Sequence, residues 1–259
     1  MKSKLLSIII IIILILLVLY IIFLLKPIDN EPFYHYDDIK KRLKTGDIIL
    51  FSCKQHGSLL DNMVYSIRTT LVNSEYGHAG IVIKNKKGKL FIVEACGPSQ
   101  CGYENATHLN NDKKGGARII ELDKILQEYY EEYKGIYAVK FISKEIPYSV
   151  IMEKLKKYEN IRFQDRHVLA MLVVADICIS NTLAKTLSKL CDEKKMICTD
   201  FLYDLLYECN VVKEYPSKIF WPHLITTKKF DDLQIINYSK PYKFSIINNK
   251  DNDQKQDNK

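Results

Sequence analysis

The segment Tyr76-Gly-His-Ala-Gly-Ile-Val-Ile83, followed across a Lys/Gly-rich connection by Phe91-Ile-Val-Glu-Ala95, leaves the chain around it few options. Two apolar runs of strand length joined by a turn read as a β-hairpin, and side chains alternate faces along each run. His78, Gly80 and Val82 then share one face, and Ala79, Ile81 and Ile83 the other. The length of the connection decides what His78 meets. A five-residue loop pairs Ile83 with Lys89 and sets His78 directly opposite Glu94, whereas a three-residue loop at Lys86-Lys87-Gly88 makes the two diagonal neighbours on one face. A two-residue Lys87-Gly88 turn would part them. In either odd-length register a carboxylate can hold the imidazole, as a catalytic base requires. What is missing is a nucleophile, and the candidate is Cys198.

Residues Leu5 to Leu25 carry no charge and are nearly all Ile, Leu, Val or Phe. Twenty-one residues at about 1.5 Å each span a hydrocarbon core of about 30 Å. Leu25-Lys-Pro-Ile offers no small-residue cleavage site, so the expectation is a transmembrane signal-anchor over residues 1–26, a single-pass membrane location and the bilayer as a partner. Lysines flank this run on both sides, and the positive-inside rule does not choose an orientation. Residues 27–44 read as a linker and short helix, 45–245 as one domain, and 246–259 as a disordered tail, made of Asn, Asp, Gln and Lys alone from Asn248 onwards.

With 47% hydrophobic and 27% charged residues the chain can build a core. The net charge of +7 comes from lysines interleaved with acids, a pattern of solvated surface, and no nucleic-acid motif accompanies it; nucleic acid is not an expected partner. Seven cysteines without framework spacing argue against a disulfide scaffold.

Periodicity predicts a short helix over Asp37–Leu43, a strand over Ile48–Phe51 and a helix over Leu59–Leu71. After the hairpin come a polar loop from Gly97 to Gly116, strands at Ala117–Glu121 and Gly135–Ile142, and a helix at Asp123–Tyr133 between them. Helices follow over Tyr148–Tyr158 and Val168–Leu190. The apolar start of the last, Val168 to Cys178, is too short to cross a bilayer and reads as a buried core helix. Ile197, Phe201, Leu202, Leu205 and Cys209 line one side of a helix beginning near Cys198.

Cys198 therefore falls in the first turn of an amphipathic helix, where orphan backbone N–H groups and the helix dipole stabilise a thiolate and can bind an oxyanion. Asp200 favours the same helix start but works against a low thiol pKa. On position alone Cys198 would be an ordinary buried cysteine; His78 and Glu94 change that reading.

The order Thr45-Gly-Asp-Ile-Ile-Leu-Phe51, Gly77-His-Ala-Gly-Ile-Val-Ile83, Val93-Glu-Ala95 and Cys198-Thr-Asp-Phe-Leu-Tyr203 resembles the circularly permuted papain-like (NlpC-related) superfamily. That group includes the YiiX-like proteins, relatives in large DNA viruses and the lecithin–retinol acyltransferase family. The resemblance implies an α+β fold, with an antiparallel sheet packed on the Cys-bearing helix. It implies a thiol hydrolase with a Cys–His–Glu triad: Cys198 as nucleophile, His78 as general base and acid, Glu94 orienting His78. The substrate would be an amide or ester, in a peptide or a lipid. The family's Gly-x-x-Tyr-Asp element has only a distant echo in Asn160-Ile-Arg-Phe-Gln-Asp165, and residues 166–195 form an apparent helical insertion. Trp221-Pro-His-Leu224 corresponds to the Pro-containing segment that closes the fold.

Two other readings stay open: an acyltransferase or phospholipase-like enzyme acting on membrane lipids, and a catalytically silent scaffold or virion protein. The oligomeric state is open too. No cofactor is expected. Cys96, Cys101 and His108 are three ligands at irregular spacing, short of the four of a structural zinc site, so no metal is expected either. Asp47 reads as a turn or cap residue, and Tyr129, Tyr130 and Tyr133 as surface packing on a charged helix.

Overall fold

Strands form where β-branched and aromatic residues run together, and helices where apolar residues recur every three to four positions. The computed structural model describes residues 33–52, 74–98, 104–110, 115–165, 168, 181–189 and 191–246. In chain order these give β1 (Tyr34–His35), α1 (Tyr36–Arg42), β2 (Ile48–Ser52), β3 (Tyr76–Lys84), β4 (Leu90–Cys96), β5 (Thr107–His108), β6 (Gly116–Glu121), α2 (Leu122–Tyr133) and β7 (Ile136–Lys140). There follow α3 (Tyr148–Leu155), β8 (Arg162–Phe163), α4 (Asn181–Ser188), β9 (Lys195–Met196), α5 (Cys198–Glu208), α6 (Lys228–Leu233) and β10 (Tyr242–Ser245). Short 3₁₀ turns occupy Lys156–Tyr158, Ser217–Ile219 and Pro222–Thr226. The expected helix over Leu59–Leu71 and most of the Val168–Leu190 helix lie outside the described residues, as does the tail beyond residue 246.

Eight strands make one sheet in the order β1-β10-β7-β2-β3-β4-β6-β5, and β8 with β9 makes a separate parallel pair. The large sheet is mixed: β1 runs parallel to β10, and the other neighbours are antiparallel. The expected all-antiparallel sheet is corrected on this point. The extra strand was not visible in the sequence because it is two residues long and its partner is more than 200 positions away.

Helices cover both faces, which is why Ile48-Ile-Leu-Phe51 is apolar throughout rather than alternating. On one face Ile48, Leu50, Ala79, Ile81, Val93 and Ala95 pack with Phe201, Leu202 and Leu205 of α5 and Ile151 of α3. On the other, Ile49, Phe51, Val82, Ile92 and Ile120 pack with Ile39 of α1 and Ile125, Leu126 and Tyr129 of α2. Asp47 closes the entry to β2, accepting from the amides of Lys44 and Ile142 at 2.8 Å each.

The expected membrane-spanning helix at Leu5–Leu25 lies outside the described residues. Among the described residues no helix is long and apolar enough to cross a membrane. The longest, α2, has 12 residues, about 18 Å against a hydrocarbon core of about 30 Å. The single-pass, membrane-anchored architecture and the membrane location are accordingly corrected to an α+β domain with a mixed sheet.

Candidate active site

The β3–β4 ladder pairs Ile81 with Val93, Ile83 with Phe91 and Lys84 with Leu90. Asn85 N–H donates to Lys89 O, and Gly88, at φ 79°, turns the chain through the left-handed region. Of the registers the sequence left open, this is the three-residue loop. His78 and Glu94 are diagonal neighbours, and Nε2 of His78 lies 2.6 Å from Oε2 of Glu94. Both side chains are buried, Glu94 completely.

The next strand supplies a residue that sequence reasoning missed. Arg118 of β6 stands directly across the ladder from Glu94, and its Nε donates to Oε1 at 2.8 Å, with a second guanidinium nitrogen on the same oxygen. One carboxylate oxygen therefore serves arginine and the other histidine. An arginine in the middle of Gly116-Ala-Arg-Ile-Ile-Glu121, otherwise an apolar strand, was the available signal: a buried cation needs a buried anion. Tyr129 was also misread. It is buried, and its ring stacks on the His78 imidazole at 6.2 Å between centroids and 14° between planes. Phe51 bounds the imidazole too, at 5.3 Å and a tilt of 56°.

Cys198 begins α5, which packs against β3 and β4. The residue before it, Ile197, offers no side-chain cap, so the first-turn amides of α5 are not consumed by one. The Cys198 sulfur is close enough to the His78 imidazole to favour its protonated form. With Nε2 committed to Glu94, Nδ1 is the ring nitrogen left to exchange a proton. Strand β3, strand β4 and helix α5 thus bring together the three residues singled out in the sequence.

Burial works against charge on His78, but the Glu94 carboxylate and the Cys198 sulfur outweigh it and raise the imidazole above its usual value. Burial likewise opposes ionisation of Glu94, and Arg118 followed by His78 overcomes it and holds the carboxyl below its usual range. With Arg118 cationic and Glu94 anionic, the cluster is neutral whether the Cys–His proton is on sulfur or on nitrogen. Moving that proton changes no net buried charge, so desolvation does not forbid the ion pair.

Cys96 lies two residues beyond Glu94, fully buried, and burial pushes its thiol up to about 12. Cys101 lies outside the described residues, and no cluster of His, Cys, Asp and Glu among the described residues could hold a metal ion. Cys209 is a packing residue against the core. Trp221 is buried in a small cluster with Ile197, against which Leu187 of α4 and Cys191 also pack. Residues of the 166–195 segment thus reach the start of the Cys198 helix.

No protein-family model matches the chain. An uncharacterized protein of Acanthamoeba polyphaga mimivirus is 39% identical to it over 222 residues, covering 85% of this chain and 88% of the viral one. Identity of that extent along nearly the whole of both chains makes the relation one of family, and the chain belongs to the family of that viral protein.

Proposed function

We propose that the protein is a thiol hydrolase that cleaves an amide or ester through a thioester on Cys198. The observation that carries this reading is the buried imidazole of His78, held by the Glu94 carboxylate, with the thiol at the first turn of α5 close enough to influence its charge. An imidazole held on one nitrogen by a carboxylate presents the other as a proton acceptor, the requirement for activating a nucleophile. The resemblance to permuted papain-like enzymes points the same way.

In the proposed reaction the proton of Cys198 passes to Nδ1 of His78, and the thiolate adds to the substrate carbonyl carbon. The first-turn N–H groups of α5 face the oxygen that gains charge. The tetrahedral intermediate collapses, His78 protonates the departing amine or alcohol, and the acyl group remains on sulfur. Water then attacks the thioester while His78 takes its proton, and the carboxylic acid leaves as the thiol is restored. Glu94 stabilises the imidazolium throughout, and Arg118 keeps Glu94 ionised.

The test is the pH dependence of Cys198 alkylation in the wild type and in His78→Ala, followed by mass spectrometry of the Cys198 peptide. The expected result is a midpoint well below the usual thiol value of about 8.5 that rises when the imidazole is removed. An ordinary midpoint, indifferent to His78, would refute the reading and leave a scaffold. With the thiolate established, a p-nitrophenyl ester assayed with and without added alcohol or amine acceptors separates hydrolysis from acyl transfer.

A further inference from the structure

Buried polar atoms without a partner are rare in a folded chain, and three of them belong to the elements that meet at the start of α5. Thr199 Oγ1 and Asp200 Oδ1 lie in its first turn, and Gln164 Oε1 comes from the residue after β8. None of the three has a hydrogen-bond partner among the described residues. Gln164 is only 7% exposed, yet its side-chain oxygen meets no donor of the fold. Leaving such an acceptor unpaired costs stability, so its retention asks for a reason.

Backbone pairing places Gln164 beside the nucleophile. Its N–H donates to Met196 O at 2.8 Å, and the Arg162 N–H donates to Lys194 O at 2.8 Å. Phe163 stands beside Met196 in this parallel pair, so the next step sets Gln164 beside Ile197, one residue before Cys198. With strands about 4.8 Å apart and consecutive Cα atoms about 3.8 Å apart, the Cα atoms of Gln164 and Cys198 lie within about 9 Å. Phe163 and Met196 pack toward the sheet. Alternation turns Gln164 and Ile197 the other way, where Ile197 packs with Trp221. The strand is held in this place. Asn110 Nδ2 donates to the carbonyls of Gly115 and Ile161, at 2.6 and 3.1 Å. Gly116, at φ 139°, admits the Ile161 carbonyl to where it would stand 2.3 Å from a Cβ. Just beyond Gln164, Asp165 pairs with Lys195.

The unpaired atom is an acceptor, so a donor must complete it. Acyl groups carried on Cys198 differ in what they offer there. An aminoacyl or peptidyl group has an N–H on the carbon next to its carbonyl. A fatty acyl chain has only CH₂ and would leave the oxygen unpaired. A site built around a buried polar group rejects a ligand that lacks its partner. We propose that Gln164 is a substrate-binding residue whose side-chain oxygen accepts this N–H, so that the acyl donor is an aminoacyl or peptidyl group rather than a lipid. This rests on the thiol-hydrolase reading and deepens it by naming the substrate class.

The experiment compares two probes that differ in one atom, the p-nitrophenyl esters of N-acetylglycine and of acetoxyacetic acid, the second with oxygen in place of the N–H. Each acylates Cys198: the S–C bond forms, the bond to p-nitrophenolate breaks, and the thiol proton passes to His78. Release is measured with the full chain, the rate in Cys198→Ser is subtracted, and each value is divided by that probe's rate with 2-mercaptoethanol. The wild type prefers the N–H probe by about tenfold, the effect of one hydrogen bond to a buried acceptor. Gln164→Met brings the preference to about one by slowing the N–H probe alone. Gln164→Glu, which keeps an acceptor, retains the preference. Because the readout is a ratio, a general loss of activity cancels.

A wild-type preference near one, or a preference that survives in Gln164→Met, overturns the inference. Equal slowing of both probes in Gln164→Met is such a survival and would put the amide on the carbonyl oxygen instead. Should Gln164→Met not fold, Gln164→Ala is read in the same way. A Cys198 that alkylates with a depressed, His78-dependent midpoint but accepts neither probe also overturns it. A midpoint that is ordinary and insensitive to His78→Ala removes the parent reading instead, so the two failures are distinguishable.

Discussion

Arg118 and Glu94 face each other across the β4–β6 ladder, and the guanidinium grips one carboxylate oxygen while His78 takes the other. The catalytic candidate is therefore the end of a four-residue chain of charge running through the sheet, and its far end is as buried as its near one.

Removing the guanidinium should cost more than the loss of one contact. Arg118→Met leaves Glu94 buried beside histidine alone, and breaking a buried pair by deleting one partner costs about 3–5 kcal/mol. Arg118→Lys keeps the charge, loses the fork and should cost less. Urea unfolding of the three proteins checks the ranking; equal stability of wild type and Arg118→Met would show that the pair is not formed.

The Glu94 carboxyl gives a signed pH dependence. Its folded value is depressed below the ordinary 4.5, chiefly by Arg118 working against burial, so its contribution is present above about 4.5 and lost as pH falls toward the folded value. His78 is raised above its ordinary 6.5 by Glu94 and Cys198 against burial; its contribution is full below about 6.5 and fades as pH rises through the folded value. Asp47 and Asp200, raised by burial to about 6 and about 7, favour folding in their neutral forms and lose that contribution as pH rises. Comparison with Glu94→Gln isolates the first term: between pH 5 and pH 2 the wild type should lose stability more steeply than the variant.

Tyr129→Ala removes the ring stacked on the imidazole and leaves a gap beside Phe51. A loss of about 3 kcal/mol is expected, as for other large aromatic truncations in a core. If the ring also holds His78 in place, the rate of Cys198 alkylation near neutral pH should fall in the still-folded variant. A variant that loses stability without any change in that rate would make Tyr129 a packing residue only.

Gly80 lies between His78 and Val82 on β3, and a Cβ there would come 2.7 Å from the Ile92 side chain, with the Val93 carbonyl at 3.1 Å. Ile92 must rotate or the strand must shift, so Gly80→Ala should destabilise by about 1–3 kcal/mol. Gly88→Ala meets no atom within 4 Å but holds φ at 79°, so its cost, about 1 kcal/mol, should come from backbone strain alone. Thermal melts of the pair test this ordering.

The hairpin and the Cys198 helix were legible because each is local: alternation fixes the faces of β3 and β4, and apolar spacing fixes α5. The register was narrowed but not chosen, since loop length depends on whether Gly88 takes the left-handed turn. Arg118 and Tyr129 escaped because their roles are set by neighbours across the sheet. Arg118 looked like one charge among many until the β4–β6 pairing placed it on Glu94, and Tyr129 lies on a helix whose exposed face carries most of the charge. The parallel edge strand is invisible to any window of sequence, because two residues carry no periodicity.

The pairing of β1 with β10 has a consequence for the order of the candidate site residues. Tyr34 stands beside Phe244 and His35 beside Ser245, so the first and last strands of the described sheet are already neighbours. A short bridge between them, with a new opening in the turn between β7 and α3, would yield a chain in which Cys198 precedes His78 and every strand keeps its partner. Which of the two residues comes first is thus a matter of where the loop of chain is cut.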